Sequence, residues 1–121
     1  MSSPKIINRT PMAVVEVFRG APLPLLISER IDGVPRSFET TLVLTASPPD
    51  AAAFSIAVGS GITLEAFESV ASARAVIRFS EAQSLLVKIG SHTPFEITEG
   101  TSPNRSIFMA GMLLGRQAGT P

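Results

Sequence analysis

Hydrophobic and polar residues alternate along much of this chain, in short segments that glycine and proline separate. The clearest alternation lies in residues 38–45. It puts Phe38, Thr40, Leu42 and Leu44 on one face, and Glu39, Thr41 and Thr45 on the other. A period of two residues is typical of a β-strand that is buried on one face. Breaks this frequent favour short strands over long helices. Further strands are predicted over residues 13–18, 23–31, 54–58, 75–79 and 95–98.

The last apolar segment, residues 107–114, departs from simple alternation because apolar side chains occupy both phases. One interpretation is a central strand that is buried on both faces. The other is a strand whose outer face contacts another subunit. Under the second interpretation, the predicted interface consists of Ile107, Met109 and Leu113.

One segment follows a helical pattern instead. Ser80 and Gln83 have the spacing of a capping box, in which each side chain bonds to the backbone N–H of the other residue. We expect a short amphipathic helix over residues 81–89, which ends near Gly90. Its predicted apolar face consists of Ala82, Leu85, Leu86 and Ile89.

The elements together predict a mainly β fold. About seven short strands with regular turns are typical of a sandwich, here an antiparallel, immunoglobulin-like β sandwich with one short helix. A chain of 121 residues has the length of a single domain, which we place at residues 13–115. Residues 1–12 and 116–121 are rich in Pro, Gly, Ser and Thr, so we expect a flexible arm and a flexible tail that become ordered against a neighbour.

Charge and composition limit the classes of partner that this chain is expected to bind. The chain has 10 basic and 10 acidic residues, so no patch is expected to bind nucleic acid or an anionic membrane. Apolar residues make up 45% of the chain and charged residues only 17%. Either the core is dense in small aliphatic side chains, or neighbouring subunits cover some apolar surface.

Targeting signals are not evident in the pattern. Residues 1–10 contain Lys5 and Arg9 but lead into no long apolar stretch, and the run at residues 107–114 is far shorter than the ~20 residues that span a bilayer. We expect neither a secreted precursor nor an integral membrane protein.

The side chains that build active sites are scarce. The chain has no cysteine and one histidine, His92, so we expect no catalytic residues, no metal site and no cofactor. Carboxylate pairs such as Glu65 with Glu68 lack the aromatic residues that usually line a sugar cleft, since Trp and Tyr are absent. The sequence predicts a protein that is not an enzyme.

Several segments occur in an order that is found in a known group of proteins. A strand ends in the pair Arg19 and Gly20, an Asp-Gly turn follows at residues 32–33, and a Gly-Ile-x-Leu segment occupies residues 61–64. A Ser-led helix and a final strand with a central glycine come later. This order is similar to tailed-phage structural proteins, in particular the N-terminal β domain of baseplate upper and tail-fibre-attachment proteins, over about residues 13–115. The group usually has an acidic residue after the Arg-Gly pair, where this chain has Ala21.

The resemblance implies a role. Such proteins are non-enzymatic parts of a tailed-phage virion, associated with the tail or baseplate, and act through symmetric protein–protein contacts. It implies a homo-oligomer that contacts other phage structural proteins, is assembled in the host bacterial cytoplasm and is located in the virion. A capsid decoration protein is an alternative of the same class. A surface ligand-binding β module is an alternative of another class, which the missing aromatic residues and missing export signal disfavour.

Overall fold

The computed structural model describes residues 12–117 and is mainly β, as the alternation predicts. The predicted arm and tail lie largely outside this range; Met12 belongs to the first strand and Arg116 to the last. One helix is present in the described range, α1 (Glu81–Leu85). The strands are β1 (Met12–Arg19), β2 (Leu25–Ile27), β3 (Arg30–Ile31), β4 (Val34–Pro35), β5 (Val43–Ala46), β6 (Phe54–Val58), β7 (Gly61–Phe67), β8 (Val70–Ile77), β9 (His92–Glu99) and β10 (Ser106–Gln117).

Eight of the strands form one mixed sheet in the order β1-β10-β9-β5-β6-β7-β8-β2, and β3 pairs with β4 separately. The sheet curls: Val17 of β1 and Ile27 of β2 come from its opposite edges and still belong to the same buried core. This core is formed mainly by fully buried aliphatic side chains. They include Leu42, Leu44, Ile56, Ile62, Ile77, Val87, Ile97 and Leu113.

The prediction of an antiparallel sheet is wrong at two strand pairs, because β1 pairs with β10 and β6 with β7 in parallel. Parallel neighbours usually need a long crossover. Between β6 and β7 the chain instead makes one tight loop at Gly59 and Ser60, then continues in the same direction. The Gly59 N–H donates to the Ile62 carbonyl and the Ser60 N–H to the Ala57 carbonyl, which closes the loop.

Most of the predicted alternation is confirmed. Ile56 is buried while Ser55 is exposed, and Phe95 is buried while Glu96 is exposed. The strand predicted over residues 38–45 is shorter than expected and begins at Val43, because the Leu42 N–H donates to the Glu39 carbonyl in a turn. The segment predicted at residues 23–31 divides into β2 and β3, and β2 lies at a sheet edge, as expected for a strand preceded by proline.

The predicted helix exists but is shorter than residues 81–89, since α1 ends at Leu85. Its capping box is confirmed: the Gln83 N–H donates to Ser80 Oγ at 3.0 Å and the Ser80 N–H to Gln83 Oε1 at 2.9 Å. The predicted apolar face is wrong. The residues that face inward are Ser84 and Val87, and Leu85 is exposed.

The inward position of Ser84 has a physical reason. Its hydroxyl accepts a hydrogen bond from the Gly20 N–H at 2.9 Å and donates to the Glu81 carbonyl at 2.7 Å, so this polar side chain is satisfied where it is buried. The chain then leaves the helix so that Val87 can enter the core. Within residues 12–117, no helix has the length and apolar character needed to cross a membrane.

Candidate interaction surface

Two adjacent strands, β1 and β10, bury one face and present the other. Their parallel register aligns Ala13 with Gly111, Val15 with Leu113 and Val17 with Gly115, and this set faces the core. The intervening residues face outward. We call this set the outer face: Met12, Val14 and Glu16 of β1 with Ala110, Met112 and Leu114 of β10.

The outer face is apolar and open at β1. Met12 is 69% exposed and Val14 is 68% exposed, whereas Met112 and Leu114 beside them are half-buried. Next to them on β9, Pro94 lies opposite Met112 and is exposed. Apolar side chains that adjoin one another across three strands are typical of a surface that another molecule covers.

Two glycines explain why the core face of β10 fits so closely. A Cβ on Gly111 would collide with the backbone carbonyl oxygen of Ala13. A Cβ on Gly115 would collide with the carbonyl oxygen of Val87 and would lie 2.8 Å from the carbonyl carbon of Lys88. β1 and the segment after α1 therefore approach β10 at backbone distance, which only glycine permits.

The three residues of the predicted interface lie in different environments. Ile107 is 49% exposed, Met109 is partly buried against the core, and Leu113 is fully buried within it. The cause is a β-bulge, since the β9–β10 register shifts between Ile107 and Met109 and changes the face to which the following residues point. Ile107 therefore points away from the core, whereas Met109 and Leu113 point towards it.

After the bulge, the outward residues of β10 are Ala110, Met112 and Leu114, which alternate with the inward Met109 and Leu113. The pattern itself marks no bulge, because both phases of residues 107–114 are apolar. A glycine at every fourth position, Gly111 and Gly115, was the available signal for the face that packs closely.

β1 also has a free edge. Among residues 12–117 its only partner is β10, so the other side of the strand carries backbone N–H and C=O groups without a neighbouring strand. A long, apolar edge strand is a template for pairing with another chain. The free edge and the outer face meet at Met12 and Val14.

The carboxyl-terminal half of β1 is fixed by polar contacts. Arg116 Nη2 lies 2.7 Å from Glu16 Oε2, an ion pair across the outer face. Arg19 Nη2 donates to the Leu85 carbonyl at 2.9 Å. The charge of Glu16 is therefore balanced within the chain, and α1 holds the carboxyl end of β1 in place.

A second polar cluster lies at the other end of β9. Arg36 Nη2 lies 2.8 Å from Glu99 Oε1, and the Glu39 N–H donates to Glu99 Oε2 at 2.9 Å. Glu99 is only 7% exposed. The Arg36 guanidinium also stacks on the rings of Phe38 and Phe108, at 4.8 Å and 5.5 Å from their centroids.

This Arg36 cluster is internally satisfied. Burial lowers the pKa of Arg36. The hydrogen bonds to Glu99 and Glu29, together with their negative charges, raise the pKa by more than burial lowers it, so the net shift is upward. The guanidinium stays charged and its partners are supplied by the chain itself. We therefore conclude that the cluster has a structural role and holds the segment before β5 against β9 and β10.

Two shallow clefts flank the outer face. One, of about 230 Å³, is lined by His92, Leu114 and Arg116 among others. The other, of about 140 Å³, lies beside Pro94 and Glu96. In the part of the chain described, no three His, Cys, Asp or Glu residues are placed to hold a metal ion.

Comparison with known proteins does not assign this chain to a family. No protein-family model matches the chain, and no curated protein matches its sequence. Nothing in these comparisons links the chain to phage baseplate or tail-fibre proteins, so that resemblance stays a prediction.

Proposed function

We propose that this chain is a non-enzymatic assembly module, which is built into a larger protein particle through the outer face and the free edge of β1. The observation that carries the proposal is the exposure of Met12 and Val14 on an edge strand whose outer edge has no partner in the part of the chain described. An uncovered strand of this kind is an aggregation hazard, and proteins normally cover or interrupt it. A partner that covers it removes the hazard.

The fold we propose is an immunoglobulin-like sandwich. Its support is the strand order: β10-β9-β5 corresponds to strands G, F and C of such domains, and β2-β8-β7 to strands B, E and D. The chain order of these six strands also agrees with that assignment. The short parallel contact between β6 and β7 would be the place where the chain passes from one layer to the other.

The setting we propose is a tailed-phage virion, at the tail or baseplate, with capsid decoration as the alternative position. The support is the resemblance in element order. In addition, two of its features contact each other, since the Gly20 N–H of the Arg-Gly pair donates to Ser84 of the Ser-led helix at 2.9 Å. The repeated contacts of such a particle would cover the outer face by symmetry.

A surface ligand-binding module has less support. Small-molecule pockets usually have volumes of about 300–1,000 Å³. The two clefts beside the outer face measure about 230 and 140 Å³ and are open.

The test is incorporation into particles. Particles are purified from a strain that encodes the chain and produces them, and peptides of the chain are quantified by mass spectrometry. We expect wild-type chain to co-purify with particles. Val14→Asp should lower its copy number at least about tenfold, because a charge buried without a partner is strongly unfavourable.

The matched control is Leu26→Asp, which places the same charge at an exposed apolar position of the other edge strand. It should be incorporated like the wild type. Absence of wild-type chain from the particles would contradict the phage setting. Equal incorporation of both variants would contradict the assignment of the surface.

A further inference from the structure

We infer that a second copy of this chain pairs antiparallel with the free edge of β1, around a twofold axis centred on Val15. The inference rests on the proposed function, because it takes the free edge of β1 as a contact surface. It goes further by naming the partner and the register.

The faces of β1 restrict the register. A twofold axis perpendicular to the sheet keeps each side chain on its own face, so outward residues lie opposite outward residues and inward residues opposite inward ones. Met12, Val14 and Glu16 face outward, whereas Val15 and Val17 face the core. Two symmetric registers then overlap nearly all of β1, one centred on Val15 and the other on Glu16.

Charge decides between these two registers. Centring on Glu16 places the Glu16 carboxylates of the two copies directly opposite each other, and like charges in that position are destabilising. Centring on Val15 places Glu16 opposite Val14 of the second copy instead. Each Glu16 keeps its own ion pair with Arg116, at 2.7 Å.

Electrostatics do not oppose such self-association. The chain has 10 basic and 10 acidic residues, so two copies carry no net repulsion. In the paired arrangement, the exposed side chains of Met12 and Val14 in both copies join into one apolar stripe across the axis. The outer face of each copy continues this stripe through Met112.

Single-cysteine variants test the register directly, because the chain has no native cysteine. The variants are Val14→Cys, Val15→Cys and Glu16→Cys, each in the full chain at micromolar concentration under a mild oxidant. Residues directly opposite have Cα atoms about 4.5–5.5 Å apart, which a disulfide can bridge. Diagonal neighbours are about 7–8 Å apart, which it cannot bridge without movement.

We expect Val15→Cys to form disulfide-linked dimers at least about tenfold faster than the other two variants, since only its two copies lie directly opposite. Val15 is more buried than Val14 or Glu16, so random collision would give the reverse order. Leu26→Cys, on the other edge strand, is the matched control and should remain monomeric.

Other outcomes overturn the inference. Fastest linkage at Glu16→Cys or Val14→Cys would exclude the register centred on Val15. Equal linkage at Leu26→Cys, or a monomeric wild-type chain in sedimentation with no linkage at any position, would exclude the second copy at this edge. Incorporation into particles is measured in a different experiment. Failure of the second-copy pairing can therefore be distinguished from failure of the proposed function.

Discussion

The two edges of the sheet differ in how they meet solvent. β2, at one edge, is three residues long and follows Pro22 and Pro24, and short strands with nearby prolines are a common protection against pairing with other chains. β1, at the other edge, is eight residues long and uninterrupted. Within residues 12–117, the chain thus protects one edge in its own sequence and leaves the other open, which favours a partner at β1.

The largest expected effect is a difference in folding stability between substitutions on the core face and on the outer face of β1 and β10. Leu113→Ala should lower the free energy of unfolding by about 2–5 kcal/mol, because it removes a fully buried side chain from the core. Val14→Ala, on the outer face of the same edge, should change it by less than about 0.5 kcal/mol. Denaturant titration measures both, and equal losses would contradict the assignment of faces.

A second prediction concerns the Arg36 cluster, which holds the far end of β9. Glu99→Ala should lower the free energy of unfolding by about 2–3 kcal/mol, because it leaves the half-buried guanidinium of Arg36 without its main partner. The matched control is Glu16→Ala, which breaks the exposed pair with Arg116 and should cost less than about 1 kcal/mol. Similar losses in denaturant would show that Glu99 contributes no more than a surface ion pair.

The third prediction loosens the open edge alone. Gly111→Ala introduces a Cβ that collides with the backbone of Ala13, so β1 must move away from β10. We expect a loss of about 1–3 kcal/mol and faster amide exchange at residues 12–19. Exchange at residues 25–27 of β2 should stay unchanged, and a uniform increase over the whole sheet would contradict the local role of Gly111.

The smallest effect lies near the protected edge. A hydrogen bond from Arg30 lowers the pKa of the exposed Glu68 carboxyl. Such a group stabilises the fold above its unfolded pKa, and the contribution is lost as pH falls through the folded pKa. Arg30→Ala should therefore raise the pKa of Glu68 in an NMR titration, and an unchanged value would show that this pair is not formed in solution.

Local chemistry made part of this fold predictable. The capping box at Ser80 and Gln83 depends on a fixed spacing, and the alternation around Ile56 and Phe95 depends on strand geometry, so both appear in the sequence. The inward face of α1 does not appear there, because it depends on the tertiary contact between Gly20 and Ser84. Periodicity alone favoured the leucines.

The candidate surface was less predictable for the same reason. Its location depends on a bulge after Ile107 and on the pairing of β1 with β10, which lie at opposite ends of the chain. A segment that is apolar in both phases gives no indication of where a bulge reverses them. The prediction that an apolar side of β10 contacts a partner therefore stays open, with Met112 and Leu114 as the residues that face outward.

The most direct measurement of the central claim is amide hydrogen exchange across β1 at low and high protein concentration. Alternate N–H groups of residues 12–19 point to the free edge, and another strand that pairs there would protect them. We predict that these amides gain protection as the concentration rises, while residues 25–27 of β2 do not. Exchange at β1 that is independent of concentration, in a chain that otherwise self-associates, would contradict the claim.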